Sequence, residues 1–382
     1  MPDSENHLIR LHENESVNSC ISVSAFYFGV ARVEQMTPLQ HSCGTLYELR
    51  QGQQVYIGDR PYIVKKRAQG GMGFILFLEL DRANAPEKFS IHGLRVVLKS
   101  ILPAALDDEA AALFRRELVV WSGLQCGNIV GLNEILDADR DGWVAAMDWY
   151  PGSLRDHISS SGRITLPDAI HIIHDVLNGL AYAYEKDRVI HLDLKPENIL
   201  YDFYIDRVMR KEKVENPSDF DIDHMMQSVQ GRIFMVADWG IASIKQPQLN
   251  AIAGMPPSHE ACLKTFNNMG TIFYMAPERF VSGYRSTVAS DTFSLGMIFL
   301  ELVTGKLPFQ KNCPPVETLL SLSYFPKAAA LLKSVEVPAS TCRLILSMIA
   351  PDPSERPTSY VDLQKSVISA LKKTGGFLSR FF

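Results

Sequence analysis

Four stretches of the chain gather side chains whose charges could do chemistry together. Val96-Val97-Leu98-Lys99 puts a lysine at the end of an apolar run, and Glu117 follows 18 residues later, a separation at which the two can pair across a strand and a helix. His191-Leu192-Asp193-Leu194-Lys195-Pro196-Glu197-Asn198 brings two carboxylates, an ammonium and a carboxamide into eight residues. Ala237-Asp238-Trp239-Gly240 adds a further carboxylate. Gly270-Thr271-Ile272-Phe273-Tyr274-Met275-Ala276-Pro277-Glu278 and Arg356-Pro357 complete the set. Upstream lies Gly70-Gly71-Met72-Gly73, weak evidence alone because glycines in a turn often only supply unusual backbone angles. This is a set for pairing and neutralising charge. Zinc chemistry is a poor fit, because the histidines lack H-x-x-x-H spacing beside a carboxylate; His171 and His174 share a helix and read as solvated neighbours. Thiol chemistry fits no better: Cys20, Cys43, Cys126, Cys262, Cys313 and Cys342 contain no C-x-x-C pair.

These residues need elements to hold them. Tyr62-Ile63-Val64 and Phe74-Ile75-Leu76-Phe77-Leu78 read as strands flanking the glycine run, which predicts a hairpin. Leu94 to Lys99 reads as a third strand. Asp107-Asp108-Glu109 suits the positive end of a helix running through Phe114, Glu117 and Trp121. After a connector at Met147–Gly152 the pattern turns helical. Pro167 opens a helix with Ile170, Ile173, Leu177 and Leu180 on one face, ending near Lys186. Phe293–Val303, an apolar block broken by Gly296 and Glu301, reads as a buried central helix beginning at Asp291.

Composition sets the outer limits. The chain has 382 residues, 46% hydrophobic and 21% charged, with a net charge of −5. A single core stops growing near about 250–300 residues, so at least two lobes are expected. No Lys/Arg cluster favours nucleic acid as a partner. No apolar stretch approaches the ~20 residues of a membrane span; Cys20–Ala31 is too short, and the acidic N-terminus does not look like a secretory signal. Reduced thiols and a cytoplasmic location are the expectation.

In order and spacing the motifs resemble the protein kinase superfamily, specifically the eukaryotic-like Ser/Thr kinases of bacteria and phages. The likeness runs from about Tyr62 to Leu371 and joins the glycine-rich loop, strand Lys, helix Glu, D-x-x-x-x-N, D-x-G and A-P-E motifs. It implies an α+β, two-lobed fold. The expected boundaries are an N-terminal extension at 1–58, an N-lobe at 59–146, a hinge at 147–152, a mainly helical C-lobe at 153–373 and a tail at 374–382. It also implies ATP and Mg²⁺ as cofactors and protein Ser/Thr hydroxyls as substrates. By the same resemblance, Ala68, Gly70, Gly71 and Gly73 line the phosphate loop. Lys99, held by Glu117, binds the α- and β-phosphates, and adenine lies between Ile75 and Val97 above and Leu200 below, with Met147 behind. Asp193 takes the substrate proton, Lys195 faces the γ-phosphate, and Asn198 and Asp238 hold the metal. Thr271, Glu278, Asp291 and Arg356 build the substrate platform, Glu278 pairing with Arg356. Lys-Pro-Glu after Asp193 and the G-T-x-x-Y-x-A-P-E segment have the Ser/Thr form, and they argue against a small-molecule phosphotransferase. Lys99, Asp193, Asn198 and Asp238 together argue against a pseudokinase.

Several positions depart from that pattern. Ala68 replaces a loop glycine and Val97 the usual alanine. Leu192 replaces an arginine that normally pairs with a phosphate on the activation segment, which predicts activity without phosphorylation there. Trp239 replaces a phenylalanine; by family analogy Trp121, one turn after Glu117, stacks on it, and the alternative is that both are simply core tryptophans. From Asn198 to Asp238, and again from Asp238 to Glu278, there are 40 residues, implying an insertion near 201–230 and a long activation segment carrying Ser243, Ser258 and Thr265. The insertion reads as a solvated loop.

Overall fold

The computed structural model describes residues 36–69, 73–84, 94–102, 108–138, 142–161, 164–203, 231–239, 271–280, 287–309 and 314–373. Seven strands form the first lobe: Thr37–His41 (β1), Gln54–Ile57 (β2), Arg60–Gln69 (β3), Gly73–Leu80 (β4), Arg95–Ile101 (β5), Leu132–Asp137 (β6) and Trp143–Asp148 (β7). They close into a barrel in the order β1-β2-β3-β4-β5-β7-β6. Neighbours run antiparallel except at the seam, where β1 lies parallel to β6 with Thr37 opposite Leu136. One helix, Asp108–Gly123 (α1), accompanies the sheet. β3 and β4 pair antiparallel, as the alternating apolar residues predicted, and Gly73 opens β4.

Period-two alternation decides which side chains fill the barrel. On β4, Phe74, Leu76, Leu78 and Leu80 are buried inside. Leu39, Leu46, Leu49, Val55 and Ile57 close the same core. Thus residues 36–58, read from sequence as extension, contribute two strands and the turn Leu46–Glu48 to this lobe, and a boundary at 58/59 falls between the paired strands β2 and β3. Short strands of five and four residues, with a partner 99 positions away at the seam, leave little local pattern to read.

The second lobe is mainly helical. It contains Gly152–Ser153 (β8), Leu154–Ser161 (α2), Leu166–Asp187 (α3), Ile199–Phe203 (β9), Arg232–Val236 (β10), Val288–Thr304 (α4), Pro315–Leu320 (α5), Tyr324–Lys333 (α6), Ala339–Met348 (α7) and Tyr360–Lys373 (α8). Thr165 caps α3 by accepting the Asp168 N–H, Pro167 lies in its first turn, and Arg188 ends it in a left-handed conformation. Every residue of α4 is buried, so it is the axis of the lobe. Gly296 permits this packing: a Cβ there would lie 2.6 Å from Ile349 Cγ2 and 2.7 Å from Met348 Cβ. A small sheet, β10-β9-β8, lies next to the first lobe, and a bridge between Ile129 and Val236 joins the two. No helix among the described residues is long and apolar enough to cross a membrane. The 204–230 part of the insertion, residues 240–270 and the tail at 374–382 lie outside the described residues.

Candidate active site

Strand register builds the roof of a cleft between the lobes. Ala68 lies opposite Ile75, and Ile75 opposite Lys99; in the next row Phe77 faces Val97, and Val97 faces Met147. The alternation that sends Val96 and Leu98 into the barrel turns Val97 and Lys99 to the other face, where Val97 and Met147 join the core of the second lobe. Leu200, on β9, packs against that core from below. Gly73 is required where it stands, since a Cβ would come within 2.8 Å of the Ser100 carbonyl oxygen. Gly70 and Gly71 lie outside the described residues.

Lys99 reaches across the cleft, where its Nζ makes an ion pair with Asp238 Oδ1. Glu117, the partner expected for Lys99, is buried on α1. Asp238 itself has a φ of 68°, a conformation that is costly for a residue with a side chain and clusters at functional sites.

The loop from His191 to Asn198 is organised from below by Asp291, in the first turn of α4. Its carboxylate accepts the N–H groups of His191 (2.8 Å) and Leu192 (2.7 Å) and the hydroxyl of Tyr360 (2.8 Å). The Asp193 N–H donates to His191 Nδ1 at 3.2 Å, so the imidazole proton belongs on Nε2, which donates to the Ala237 carbonyl at 2.8 Å. Ala237 in turn donates its N–H to the Asn198 carbonyl at 2.8 Å. These bonds lock the Asp193 loop to the strand end that carries Asp238. Asp193 is 2% exposed, and its Oδ2 accepts Lys195 Nζ at 3.1 Å and Asn198 Nδ2 at 3.0 Å.

Trp239 meets the His191 ring edge-on at 5.0 Å and donates its indole N–H to the Val236 carbonyl. Trp121 donates to the Val130 carbonyl. Both are core residues, and no ring contact joins them among the described residues, so they are the core tryptophans of the plainer expectation and not a stacked pair.

Two further networks carry the platform. Arg356 holds Glu278 through two parallel bonds, 2.7 and 3.0 Å, and also donates to the Ala350 carbonyl, so this fully buried pair has its polar atoms bonded. Arg155, at the start of α2, joins Glu301 and Glu197, both at 2.8 Å, and Tyr274 donates its hydroxyl to Glu301 at 2.6 Å. Burial and the neighbouring Glu301 carboxylate hold the Tyr274 phenol well above its ordinary range. The side chain of Thr271 lies outside the described residues.

Asn198 turns its amide nitrogen to Asp193, leaving its amide oxygen as the atom that can meet a cation; the carboxylate of Asp238 supplies a second hard oxygen. No group of three or more His, Cys, Asp or Glu suited to a metal is assembled among the described residues. Two hard oxygen donors suit Mg²⁺, which takes few protein ligands and keeps the rest of its shell for substrate and water.

The family described as Protein kinase domain matches residues 90–368. This chain belongs to that family. The kinase is similar to the serine/threonine-protein kinase PrkC of Bacillus subtilis, 28% identical over 267 residues, which is 70% of this chain and 35% of PrkC. A probable serine/threonine-protein kinase, PknB of Lactococcus lactis, is 25% identical over 315 residues, 82% of this chain and 42% of that protein. Mitogen-activated protein kinase kinase 1 of Arabidopsis thaliana is 26% identical over 238 residues, covering 60% and 55% of the two chains. The kinase therefore spans between a third and rather more than half the length of these relatives. Three residues of its site had no motif to announce them: Tyr360 on Asp291, Arg155 between Glu197 and Glu301, and Arg279, which donates to the Leu192 carbonyl.

Proposed function

We propose that this chain transfers the γ-phosphate of ATP to serine or threonine hydroxyls of proteins, itself included. The observation that carries the reading is Asp193: a buried carboxylate bonded to Lys195 and Asn198, on a loop tied to Asp238 through Ala237. Asp193 orients the incoming hydroxyl and accepts its proton. Lys195, one bond from Asp193, neutralises the transferring group, and Lys99 holds the inner phosphates once nucleotide competes for its ammonium. Ile75, Val97, Met147 and Leu200 supply the apolar slot for adenine. Asn198 and Asp238 would hold Mg²⁺, and the chemistry it would supply there is positive charge beside the phosphate oxygens. Glu278, Arg356, Asp291 and Thr271 keep the peptide platform fixed to the C-lobe. Cys43, Cys126 and Cys342 carry free thiols, which suits work in the reducing cytoplasm.

The test is transfer of labelled phosphate from ATP to a generic protein and to the kinase itself. Asp193→Asn should lower kcat by roughly 10²–10⁴ while ATP still binds. Undiminished transfer by Asp193→Asn would remove Asp193 from the chemistry.

A further inference from the structure

At position 192 the chain has an apolar side chain where an arginine was anticipated, and the structure brings a cation to the same place from another segment. Arg279, one residue beyond Glu278 in the turn Pro277–Phe280, is 4% exposed, and its Nη1 donates to the carbonyl oxygen of Leu192. Leu192 has a φ of 62°. That left-handed conformation is strained for a residue with a side chain, so it persists only where the surroundings impose it. Here both ends of the residue are gripped: Asp291 accepts its N–H at 2.7 Å and Arg279 holds its carbonyl.

That carbonyl shares a peptide plane with the N–H of Asp193, which donates to His191 Nδ1. One plane is therefore held on two edges, by Arg279 and by His191, and its orientation sets where the Asp193 side chain points. Burial lowers the pKa of Arg279, while the carboxylates of Asp193, Asp291 and Glu278 oppose that shift, and a guanidinium remains charged throughout. Arg279 is thus a fixed cation behind the catalytic loop, delivered by the far end of the activation segment.

We infer that Arg279 is a positioning residue for Asp193, which makes docking of the 271–280 segment a condition for catalysis and does so with a charge built into the chain rather than one added by phosphorylation. The inference rests on Asp193 being the base of a phosphoryl transfer. A wild-type chain that transfers no phosphate overturns that reading itself; the variants below, compared with an active wild type, judge Arg279 alone.

Arg279→Gln and Arg279→Lys are compared with wild type in steady-state kinetics, with nucleotide affinity measured separately by titration. Arg279→Gln should lower kcat at least tenfold while the KM and Kd for ATP stay within threefold, since the nucleotide slot is untouched. Arg279→Lys, which keeps the charge but not the planar fork, should have a kcat between those of wild type and Arg279→Gln, at least threefold below wild type. Wild-type enzyme stripped by phosphatase should keep at least half its initial rate. An unchanged kcat in Arg279→Gln overturns the inference, as does a parallel loss of kcat and ATP affinity, the signature of general unfolding. Should Arg279→Gln fail to fold, Arg279→Lys decides: a wild-type kcat there, or abolished activity after phosphatase treatment of wild type, overturns it equally.

Discussion

Leu49→Ala is the sharpest test of whether residues 36–58 belong to the kinase lobe. Leu49 is fully buried, as is Leu46 one turn earlier, and both pack with Val55, Tyr62, Leu76 and Val144 in the barrel core. Truncating a buried leucine removes its transfer free energy and leaves a cavity, together about 2–5 kcal/mol. Native domains hold only about 5–15 kcal/mol in reserve, so the variant should fold with a clearly lowered urea midpoint. A residue on a loosely attached extension would instead change stability by no more than about 0.5 kcal/mol. The two expectations differ severalfold, beyond the error of a denaturation curve. The assay is urea unfolding followed by far-ultraviolet circular dichroism, with Tyr56→Ala on the exposed side of β2 as the comparison. ATP affinity measured below the transition checks that the roof built from the neighbouring strands survives. If Leu49→Ala unfolds within about 0.5 kcal/mol of wild type, the barrel does not depend on its first two strands and the reasoning fails.

Arg356→Ala should cost about 3–5 kcal/mol, because Glu278 would be left charged and buried without its partner; thermal unfolding measures it, and a change below about 1 kcal/mol refutes it. Gly296→Ala should destabilise by about 1–3 kcal/mol through overpacking against Met348 and Ile349, read as a lower melting temperature. Stability should also fall as the solution is acidified from pH 7 toward pH 5. Burial holds His157 and His174 below the ordinary value of 6.5, with Arg232 adding to the effect at His157 and His171 at His174, while Asp168 and Asp175 partly oppose it. The unfolded chain thus takes up these protons first, so this contribution is complete above the ordinary histidine value and is lost as pH drops through it toward the folded values. His157→Gln should flatten the slope of melting temperature against pH over that range; an unaltered slope counts against the assignment.

What could be read from the chain beforehand depended on how locally each feature is encoded. Asp193, Lys195 and Asn198 lie within six residues, and the structure brings them into one bonded group. The α3 stripe of Ile170, Ile173, Leu177 and Leu180 and the long apolar run of α4 are likewise local signals, and all of those residues are buried. The seam between β1 and β6 is encoded by two short segments far apart, with no period to betray it. The same holds for contacts made by side-chain reach: nothing in the spacing of Lys99 and Asp238, or of Arg279 and Leu192, announces that they meet. Trp121 and Trp239 show the converse case. Family resemblance offered a stack beside the plainer core reading, and each indole found a backbone carbonyl nearby, since a buried N–H needs such a partner more than a ring needs another ring.

Closure of the seven-stranded barrel constrains how other molecules can address this lobe. A sheet with open margins offers rows of unsatisfied N–H and C=O groups, to which a peptide from a partner or from a second copy can add as one more strand. Here β1 joins β2 on one side and β6 on the other, so among the described residues the strands of this lobe close on one another and each has a neighbour on both sides. Where strands pair in this way their backbone groups are spent on one another, so recognition along the closed part of the ring falls to side chains.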